Sequence, residues 1–363
     1  MIEGKDPRLL VRSAEPLNAE PPRELLARTF LTPVSLFFVR NHAPAPAVDP
    51  DAHRLTVGGL ARRQRSYTVD ELRRRFREVT LAATLQCAGN RRVELMAVRP
   101  IDGEIPWDAQ AIGTAEWTGV HLRDVLEDAA IGQNASHVEF TGLDDIEKDG
   151  RVMGFGGSIP LSKAGGDEVL LAYGMNGRPL TRLHGFPLRA VVPGYIGARS
   201  VKWLASITVR SDPSDNYFQR HAYRMFPPHV RAETADWDAA AMLGEVGLNA
   251  VILTPGDGER VAPGPVTCRG YAVAGRRRIQ QVELSPDGGR TWVAAELVPR
   301  HLDALPWAWT QWQATVVLEP GAHQLIARGV DSAGGLQPES PASVWNFKGY
   351  MNTARHRITV QAG

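Results

Sequence analysis

The chain has 363 residues, which predicts two domains more readily than one and allows each a sizeable core. Hydrophobic residues make up 43% of the chain and charged residues 22%, and the formal net charge of +1 argues against a general binder of polyanions. Cys87 and Cys268 are the only cysteines, so the sequence contains neither a disulfide framework nor a cysteine-based zinc or iron–sulfur site.

The first fifty residues are rich in proline and begin without the basic and apolar segments of a secretory signal. No apolar run in the sequence approaches transmembrane length. We therefore expect a cytoplasmic protein with no membrane partner, the periplasm being the alternative if a leader has been removed. The apolar run at residues 35–39 predicts a buried strand that delivers Arg40, Asn41 and His42 to its end.

The next part of the chain mixes helical and extended patterns. Thr68 and Glu71 have the spacing of a capping box and predict a helix start. The apolar face of this helix comprises Val69, Leu72, Phe76 and Val79. A second helix is predicted at residues 122–129, and strands at residues 138–141, 168–173, 188–192 and 202–209. Helices and strands without strict alternation indicate an α+β fold rather than a doubly wound sheet.

The other face of the first helix carries a run of arginines: Arg73, Arg74, Arg75 and Arg77. Such a run is typical of a solvated helix face, and we expect no nucleic-acid partner.

Cys87 lies in a turn-like segment that follows a short apolar run at residues 81–85. Gly89 and Asn90 come next, and then Arg91 and Arg92. Positive charge close to the sulfur is expected to favour the thiolate, which is both a nucleophile and a soft metal ligand. A buried cysteine that acts as a small hydrophobe explains the spacing equally well.

A second candidate site lies between residues 184 and 202, where charged residues bracket a short apolar strand and glycine-rich turns. The side chains concerned are those of His184, Arg189, Arg199, Ser200 and Lys202. Backbone amides in such turns, together with Arg and Lys, form a concavity that binds anions, and phosphate is the obvious occupant. The alternative is a strand rimmed by ordinary surface charge.

Near residue 235 the pattern changes to short strand-like runs separated by turns rich in proline and glycine. Strands are predicted at residues 250–253, 266–273, 280–285, 310–318, 323–330 and 357–360. Repeated short strands are typical of a β-sandwich of immunoglobulin-like type. We therefore divide the chain into a mixed α+β domain over residues 1–240 and an immunoglobulin-like domain over residues 245–363.

Five segments together resemble the sulfite oxidase family and occur in the family's order. They are residues 37–42 (FFVRNH), 87–92 (CAGNRR), 184–189 (HGFPLR), 193–204 (PGYIGARSVKWL) and 344–349 (VWNFKG). The resemblance implies an oxidoreductase in which an α+β domain binds a molybdenum–molybdopterin cofactor and an immunoglobulin-like domain forms a homodimer. It implies no haem in this chain, because the sequence has no His-Pro-Gly-Gly segment of a cytochrome b5-like domain.

The resemblance also implies roles for individual residues. Cys87 is the implied protein ligand to molybdenum. The residues implied to hold the pterin and its phosphate are Phe38, Asn41, His42, Asp144, His184, Arg189, Ser200 and Lys202. The residues implied to line the pocket for a substrate oxyanion are Arg40, Arg92, Trp107, Tyr223 and Lys348. The family usually has an arginine at the position of Lys348, and lysine lacks the bidentate fork of arginine.

The activity implied by the resemblance is oxidation of sulfite to sulfate by oxygen-atom transfer, with electrons passed to an external acceptor such as oxygen or a cytochrome. Lys348 leaves open a related molybdoenzyme that acts on another oxyanion or a sulfoxide, such as nitrate. Outside the enzymes, the alternative is a β-sandwich interaction protein whose first domain is degenerate.

Overall fold

The computed structural model describes residues 2–148, 150–298 and 305–363. Its α-helices are α1 (Arg23–Leu26), α2 (Val69–Arg75), α3 (Arg92–Val98), α4 (Leu122–Ala129) and α5 (Leu161–Ala164). Short 3₁₀ turns lie at Arg182–His184, Gly197–Arg199, Ala232–Thr234 and Pro341–Ser343, and a π-helical turn lies at Phe218–Ala222. In the part of the chain that the structure describes, no helix has both the length and the apolar character needed to cross a membrane.

The strands fall into an earlier and a later group. The earlier strands are β1 (Leu10–Ser13), β2 (Asn18–Glu20), β3 (Leu55–Gly59), β4 (Arg65–Tyr67), β5 (Glu78–Gln86), β6 (Ile112–His121), β7 (His137–Gly142), β8 (Ile146–Lys148), β9 (Arg151–Met153), β10 (Gly156–Pro160), β11 (Leu170–Met175), β12 (Arg178–Pro179), β13 (Arg189–Val191), β14 (Leu204–Arg210), β15 (Arg224–Met225) and β16 (Ala241–Met242). The later strands are β17 (Asn249–Thr254), β18 (Arg260–Val261), β19 (Gly264–Val273), β20 (Ile279–Ser285), β21 (Val293–Ala294), β22 (Glu296–Val298), β23 (Thr310–Leu318), β24 (Gly321–Asp331) and β25 (His356–Ala362).

Two sheets organise the first half of the molecule. One has the strand order β10-β7-β14-β3-β4, in which only the β14–β3 pair is parallel. The other has the order β12-β11-β6-β5, with β13 paired to β11. Helices α2 and α4 each contact strands of both sheets, so they tie the sheets into one core. The α+β prediction for this part of the chain is confirmed.

The predicted start of α2 is confirmed, but its predicted end is wrong. The backbone N–H of Glu71 donates to Thr68 Oγ1 (3.0 Å), and the N–H of Thr68 donates to Glu71 Oε2 (2.8 Å). The helix ends at Arg75, and Phe76 is already extended. Val79 therefore lies in β5 rather than on the helix, because β5 pairs with β6 along its whole length.

The strand predicted at residues 35–39 is also wrong, although the segment is largely buried. The backbone N–H groups of Leu36 and Phe37 both donate to the Pro33 carbonyl, at 2.8 and 2.9 Å, which closes a turn. Only Val39 pairs with another strand-like residue, through a single bridge to Ala19. The apolar residues at 35–39 thus correctly predict that the segment is buried. Its backbone conformation, however, is determined by the local hydrogen bonds of the turn.

The later strands form an immunoglobulin-like β-sandwich. One sheet has the order β17-β19-β23-β22, and the other has the order β18-β25-β24-β20-β21. Side chains from both sheets share one core, including the fully buried Val282, Trp312 and Leu325. Every strand predicted for this region is present, although most are longer than predicted.

Arg91 and Asn90 connect the segment after Cys87 to the sandwich. The guanidinium of Arg91 is completely buried and donates to Asn249 Oδ1 and the Ala354 carbonyl, both at 2.7 Å. Asn90 Nδ2 donates to the Tyr271 hydroxyl (2.8 Å). These buried hydrogen bonds fix the turn that carries Cys87 against the second half of the molecule.

Candidate active site

A cavity forms where the segments after β5 and around β13 meet residues 37–42. The predicted site residues in its wall are Phe38, Arg40, Asn41, His42, Cys87, Asp144, His184, Arg189, Ser200, Lys202 and Tyr223. Sequence reasoning missed further wall residues, namely Phe37, Leu85, Ala88, Phe155, Leu183, Gly197, Ala198, Val201 and Trp203. The mixed polar and apolar wall suits a small-molecule or cofactor site.

Cys87 enters the cavity directly after β5 ends. Its backbone N–H donates to the Ala111 carbonyl (2.9 Å), and the preceding Gln86 forms a parallel bridge with Ile196. This close approach depends on Gly197, where a Cβ would lie 3.2 Å from the Gln86 carbonyl oxygen. The cysteine is only 6% exposed, and these backbone contacts set its position in the wall.

The two arginines after Cys87 act differently on its sulfur. Burial raises the pKa of the Cys87 thiol, while Arg40 and Arg92 lower it without overcoming burial. Arg91 instead points into the junction with the sandwich. Arg92 thus favours the thiolate as predicted, although burial outweighs its effect, and the prediction is wrong for Arg91. A metal ion at the sulfur would deprotonate the thiol outright.

Arg189 and His184 are held together by a tight turn. Arg189 donates to the His184 carbonyl (3.0 Å) and to the Ser200 carbonyl (2.9 Å). Gly185 has φ of +100°, and a Cβ there would lie 3.1 Å from the Cβ atoms of both Arg189 and Lys202. Glycine permits this conformation and this approach. Burial lowers the pKa of His184 well below its ordinary value, so the ring is neutral.

Lys202 reaches the same part of the wall from the segment before β14. Its Nζ donates to the Leu183 carbonyl (3.1 Å) and to the side-chain oxygen of Asn41. Burial lowers the pKa of Lys202 well below its ordinary value. Within residues 2–148, 150–298 and 305–363, neither Lys202 nor Arg189 forms a salt bridge. Buried cations without a carboxylate partner are costly, so a bound anion would stabilise them.

The hydroxyl of Ser200 is engaged in a hydrogen bond within the protein and stabilises the cavity wall. Its Oγ accepts the backbone N–H of Val192 (3.0 Å), and its carbonyl accepts from Arg189. The serine therefore joins the turn before β14 to the end of β13.

Lys5 is a residue that sequence reasoning did not assign to the site. Its Nζ lies 2.5 Å from His184 Nε2 and donates to the carbonyls of Val34 (2.6 Å) and Phe37 (2.8 Å). Burial lowers the pKa of Lys5 to about 7. The scarcity of lysine, with only five in the chain, was the one signal that could have drawn attention to it.

The lowered pKa of Lys5 gives a test in cofactor-free protein. The ordinary pKa is 10.5, so between about pH 7 and pH 10 the unfolded chain binds a proton at this position that the folded chain has lost. The free energy of unfolding therefore rises with pH across this window. We expect Lys5→Met to make the rise shallower in urea titrations at pH 7, 8.5 and 10. Equal slopes in the two proteins would contradict a strained ammonium at this site.

Aromatic rings enclose His42. Its ring stacks on Phe155, with centroids 4.5 Å apart, and its Nε2 lies 3.0 Å from the Tyr223 hydroxyl. Burial lowers the pKa of His42 well below its ordinary value and raises the pKa of Tyr223 to about 12. Asp144 accepts the backbone N–H of Phe155 (3.0 Å) and so orients this ring. A neutral imidazole and a protonated phenol therefore face the cavity together.

Residues 38–41 complete this side of the wall. Arg40 Nη1 lies 3.3 Å from Asn18 Oδ1, which also accepts the backbone N–H of Asn41 (2.9 Å). Phe38 stacks on Phe37, with centroids 5.3 Å apart. The segment is thus anchored through Asn18, which lies in β2.

Arg92 and Lys348 do not line the cavity and meet at one carboxylate. Arg92 Nη2 lies 3.3 Å from Glu104 Oε2, and Lys348 Nζ forms an ion pair with Glu104 Oε1. The Arg92 guanidinium also lies 5.0 Å from the ring centroid of Tyr350. Tyr350 stacks on Tyr223, with centroids 5.3 Å apart, so this group adjoins the cavity wall through Tyr223.

Trp107 also lies behind the wall, in the apolar cluster that contains Phe37, Phe38 and Cys87. It is completely buried, and its indole N–H has no hydrogen-bond partner within the described residues. Leaving such a donor unpaired costs about 1–3 kcal/mol. The indole N–H is therefore an unsatisfied donor in the same apolar cluster as Cys87, behind the cavity wall.

Two family models match this chain, one over its first part and one over its second. A family model described as the oxidoreductase molybdopterin binding domain matches residues 42–218, and one described as the Mo-co oxidoreductase dimerisation domain matches residues 240–363. Sulfite oxidase of Gallus gallus is 46% identical over 361 residues, which cover 97% of this chain and 78% of that protein. The chain belongs to the sulfite oxidase family. Sulfite oxidase of Arabidopsis thaliana is 41% identical, over 99% of this chain and 95% of its own length.

Two further proteins extend the comparison. Mitochondrial sulfite oxidase of Homo sapiens is 42% identical over 98% of this chain, which spans 66% of that protein. The crystal structure of the sulfane dehydrogenase SoxCD from Paracoccus pantotrophus superimposes with a TM-score of 0.82 at 26% identity, over 96% of this chain and 85% of that one. The sulfite oxidase fold therefore extends over nearly the whole chain.

The residues of this chain fit the cofactor that the family model describes. Molybdopterin carries a phosphate, and Arg189 and Lys202 supply buried positive charge with no carboxylate partner in the described residues. The cofactor's metal needs a soft donor, and Cys87 brings a thiol into the same cavity. The chain is thus a molybdopterin-dependent oxidoreductase of the sulfite oxidase type.

Proposed function

We propose that this chain oxidises sulfite to sulfate at a molybdenum–molybdopterin cofactor and passes two electrons to a separate acceptor. One observation carries the proposal: a single cavity brings the Cys87 thiol together with Arg40, with Tyr223 and with two cations, Arg189 and Lys202, that form no salt bridge within the described residues. The 46% identity to sulfite oxidase of Gallus gallus over 97% of the chain supports the choice of substrate.

The cofactor-holding residues divide by chemistry. Cys87 would ligate the metal, and the bound cofactor would supply a molybdenum centre able to exchange an oxygen atom and two electrons. Arg189 and Lys202 would hold the phosphate by charge-assisted hydrogen bonds, beside His184 and Ser200. The remaining contacts to the pterin would come from Phe38, Asn41, His42 and Asp144.

The substrate-side residues suit a small oxyanion. Arg40 presents a guanidinium fork in the cavity wall that can fix sulfite oxygens, which leaves the sulfur lone pair free to face the metal, and Arg92 adds positive charge next to that wall. The unpaired N–H of Trp107 would donate to a further oxygen. Tyr223 stays protonated because burial raises its pKa to about 12, so it would donate rather than repel the anion. Lys348 would add positive charge at the edge of the site.

A steady-state assay tests the activity. Protein from a molybdopterin-competent host is expected to contain molybdenum by elemental analysis and to reduce ferricyanide with sulfite, forming sulfate in proportion. Nitrate with reduced viologen serves as the second arm, because nitrate reductase of Hordeum vulgare is 39% identical over 370 residues. Faster nitrate reduction than sulfite oxidation would overturn the proposed substrate.

Replacing Trp107 with phenylalanine tests the unpaired donor. A hydrogen bond to a charged group contributes about 1.5–3 kcal/mol, so we expect kcat/KM for sulfite to fall about 10- to 100-fold. Trp312→Phe is the matched control, because Trp312 is equally buried but donates to the Tyr271 carbonyl in the sandwich. A loss in the control as large as that in Trp107→Phe would assign the effect to packing instead.

We also propose that the chain forms a homodimer through residues 245–363, the second of two domains divided near residue 240. The match to a dimerisation domain supports this, as does the exposure of Val317, which is 66% exposed on β23. Light scattering coupled to gel filtration is expected to give twice the mass of 39.7 kDa.

A further inference from the structure

Glu104 lies in the loop between α3 and β6 and is the meeting point of two cations assigned above to the substrate side. Its carboxylate lies 3.3 Å from Arg92 Nη2 through one oxygen and pairs with Lys348 Nζ through the other. The side chain is 15% exposed, compared with 3% for Arg92 and 21% for Lys348. Glu104 is therefore a carboxylate held at the edge of a site that must bind anions.

The two cations have little freedom to move away from this carboxylate. Lys348 lies in a loop closed by Asn346, whose Oδ1 accepts the Tyr350 N–H (3.0 Å) and whose Nδ2 donates to the Tyr350 carbonyl (2.8 Å). Arg92 Nε donates to the Gly349 carbonyl (3.1 Å), and a Cβ at Gly349 would lie 2.7 Å from Arg92. Backbone contacts thus fix the geometry of the Arg92–Glu104–Lys348 group.

The charge of Glu104 reaches the cavity. Burial is the main cause that raises the pKa of Tyr350 well above its ordinary value, and Glu104 is the strongest charge acting in the same direction. Burial also dominates at Tyr223, whose ring stacks on Tyr350 with centroids 5.3 Å apart, and Glu104 again raises the pKa there. An anion bound near Tyr223 would therefore experience repulsion from Glu104.

We propose that Glu104 is a specificity-determining residue that selects anions by charge. Arg40, Arg92 and Lys348 carry three positive charges, and Glu104 removes one, leaving a net charge of +2. Because Coulomb energy scales with the product of the charges, the carboxylate opposes a dianion about twice as strongly as a monoanion. Compared with the same site without the carboxylate, Glu104 therefore weakens the binding of the dianion sulfate more than that of the monoanion hydrogensulfite, which favours release of the product. The inference rests on the anion site of the proposed function.

Glu104→Gln tests the inference by direct binding, without turnover. We expect calorimetric titration of molybdenum-loaded protein to give about tenfold tighter sulfate binding in the variant and only about threefold tighter nitrate binding, since the dianion feels twice the change in energy. Equal factors for the two anions, or changes below twofold for both, would overturn the proposal. Sulfite turnover is measured separately, so a failure of the proposed substrate would not obscure this result.

Three further variants separate the effect of charge from that of structure. Glu104→Asp keeps the negative charge, and we expect its preference between sulfate and nitrate to stay within twofold of the wild-type preference. Glu168→Gln breaks a Lys163–Glu168 pair of similar exposure (2.5 Å) away from the cavity, so neither the sulfate nor the nitrate affinity should change.

In the double variant Glu104→Gln/Lys348→Met the net charge returns to +2, and sulfate affinity should fall back toward the wild-type value. A double variant that binds sulfate as tightly as Glu104→Gln would contradict the charge argument.

Discussion

Cys87→Ser is expected to abolish sulfite oxidation while leaving the fold intact. Changes to groups that merely support a metal ligand cost about 10- to 100-fold in affinity or activity, so loss of the ligand itself should cost more than about 100-fold. The serine hydroxyl is not deprotonated as readily as a thiol and is a harder donor, so it is a poor replacement for the sulfur. The measurement is kcat with sulfite and ferricyanide, normalised to the molybdenum content of each preparation.

Cys268→Ser provides the control for this experiment. Cys268 is completely buried in the core of the sandwich and far along the chain from the cavity wall. We expect its replacement to lower thermal stability, because a buried hydroxyl is introduced, but to leave kcat per molybdenum unchanged. Undiminished turnover in metal-loaded Cys87→Ser would refute the role of Cys87 as the ligand.

The parts of the fold that local sequence could predict are those fixed by local contacts. Thr68 and Glu71 satisfy each other's backbone groups three residues apart, so the start of α2 is readable from the sequence. The strands of the sandwich are separated by turns that proline and glycine mark. Residues 35–39 failed as a strand because the Pro33 carbonyl captures two N–H groups, which apolar patterning does not reveal.

The site was predictable only in part, because some of its residues lie in short sequence motifs and others meet only through contacts that are distant in sequence. The family motifs identify Cys87, Arg189 and Lys202, because these side chains stand in short segments of recognisable order. Glu104 and Lys5 belong to no such segment and act through contacts that span 244 and 179 residues of sequence. Nothing in their neighbours indicates these partners. The role of Arg189 and Lys202 is visible only in three dimensions, because neither forms a salt bridge in the part of the chain that the structure describes and both would be stabilised by an anionic ligand.

Lys202→Met is expected to have opposite effects on the cofactor-free and cofactor-loaded protein. Without cofactor, the variant should be at least as stable as the wild type, because burial strains the ammonium and lowers its pKa well below its ordinary value. With cofactor, the variant loses a charge-assisted hydrogen bond to the phosphate. That bond is worth about 1.5–3 kcal/mol, so cofactor affinity should fall about 10- to 100-fold.

The measurements are molybdenum content per chain and the difference in Tm between loaded and cofactor-free protein, since a ligand bound only to the folded state raises Tm. Both should fall in Lys202→Met. Lys163→Met is the matched control, because Lys163 pairs with Glu168 and lies outside the cavity wall. A Tm difference in Lys202→Met equal to that of the wild type would show that the phosphate is held elsewhere. If the Tm difference between loaded and cofactor-free protein shrinks in Lys202→Met while the Tm of the cofactor-free protein does not fall, then Lys202 stabilises the bound cofactor and does not stabilise the fold.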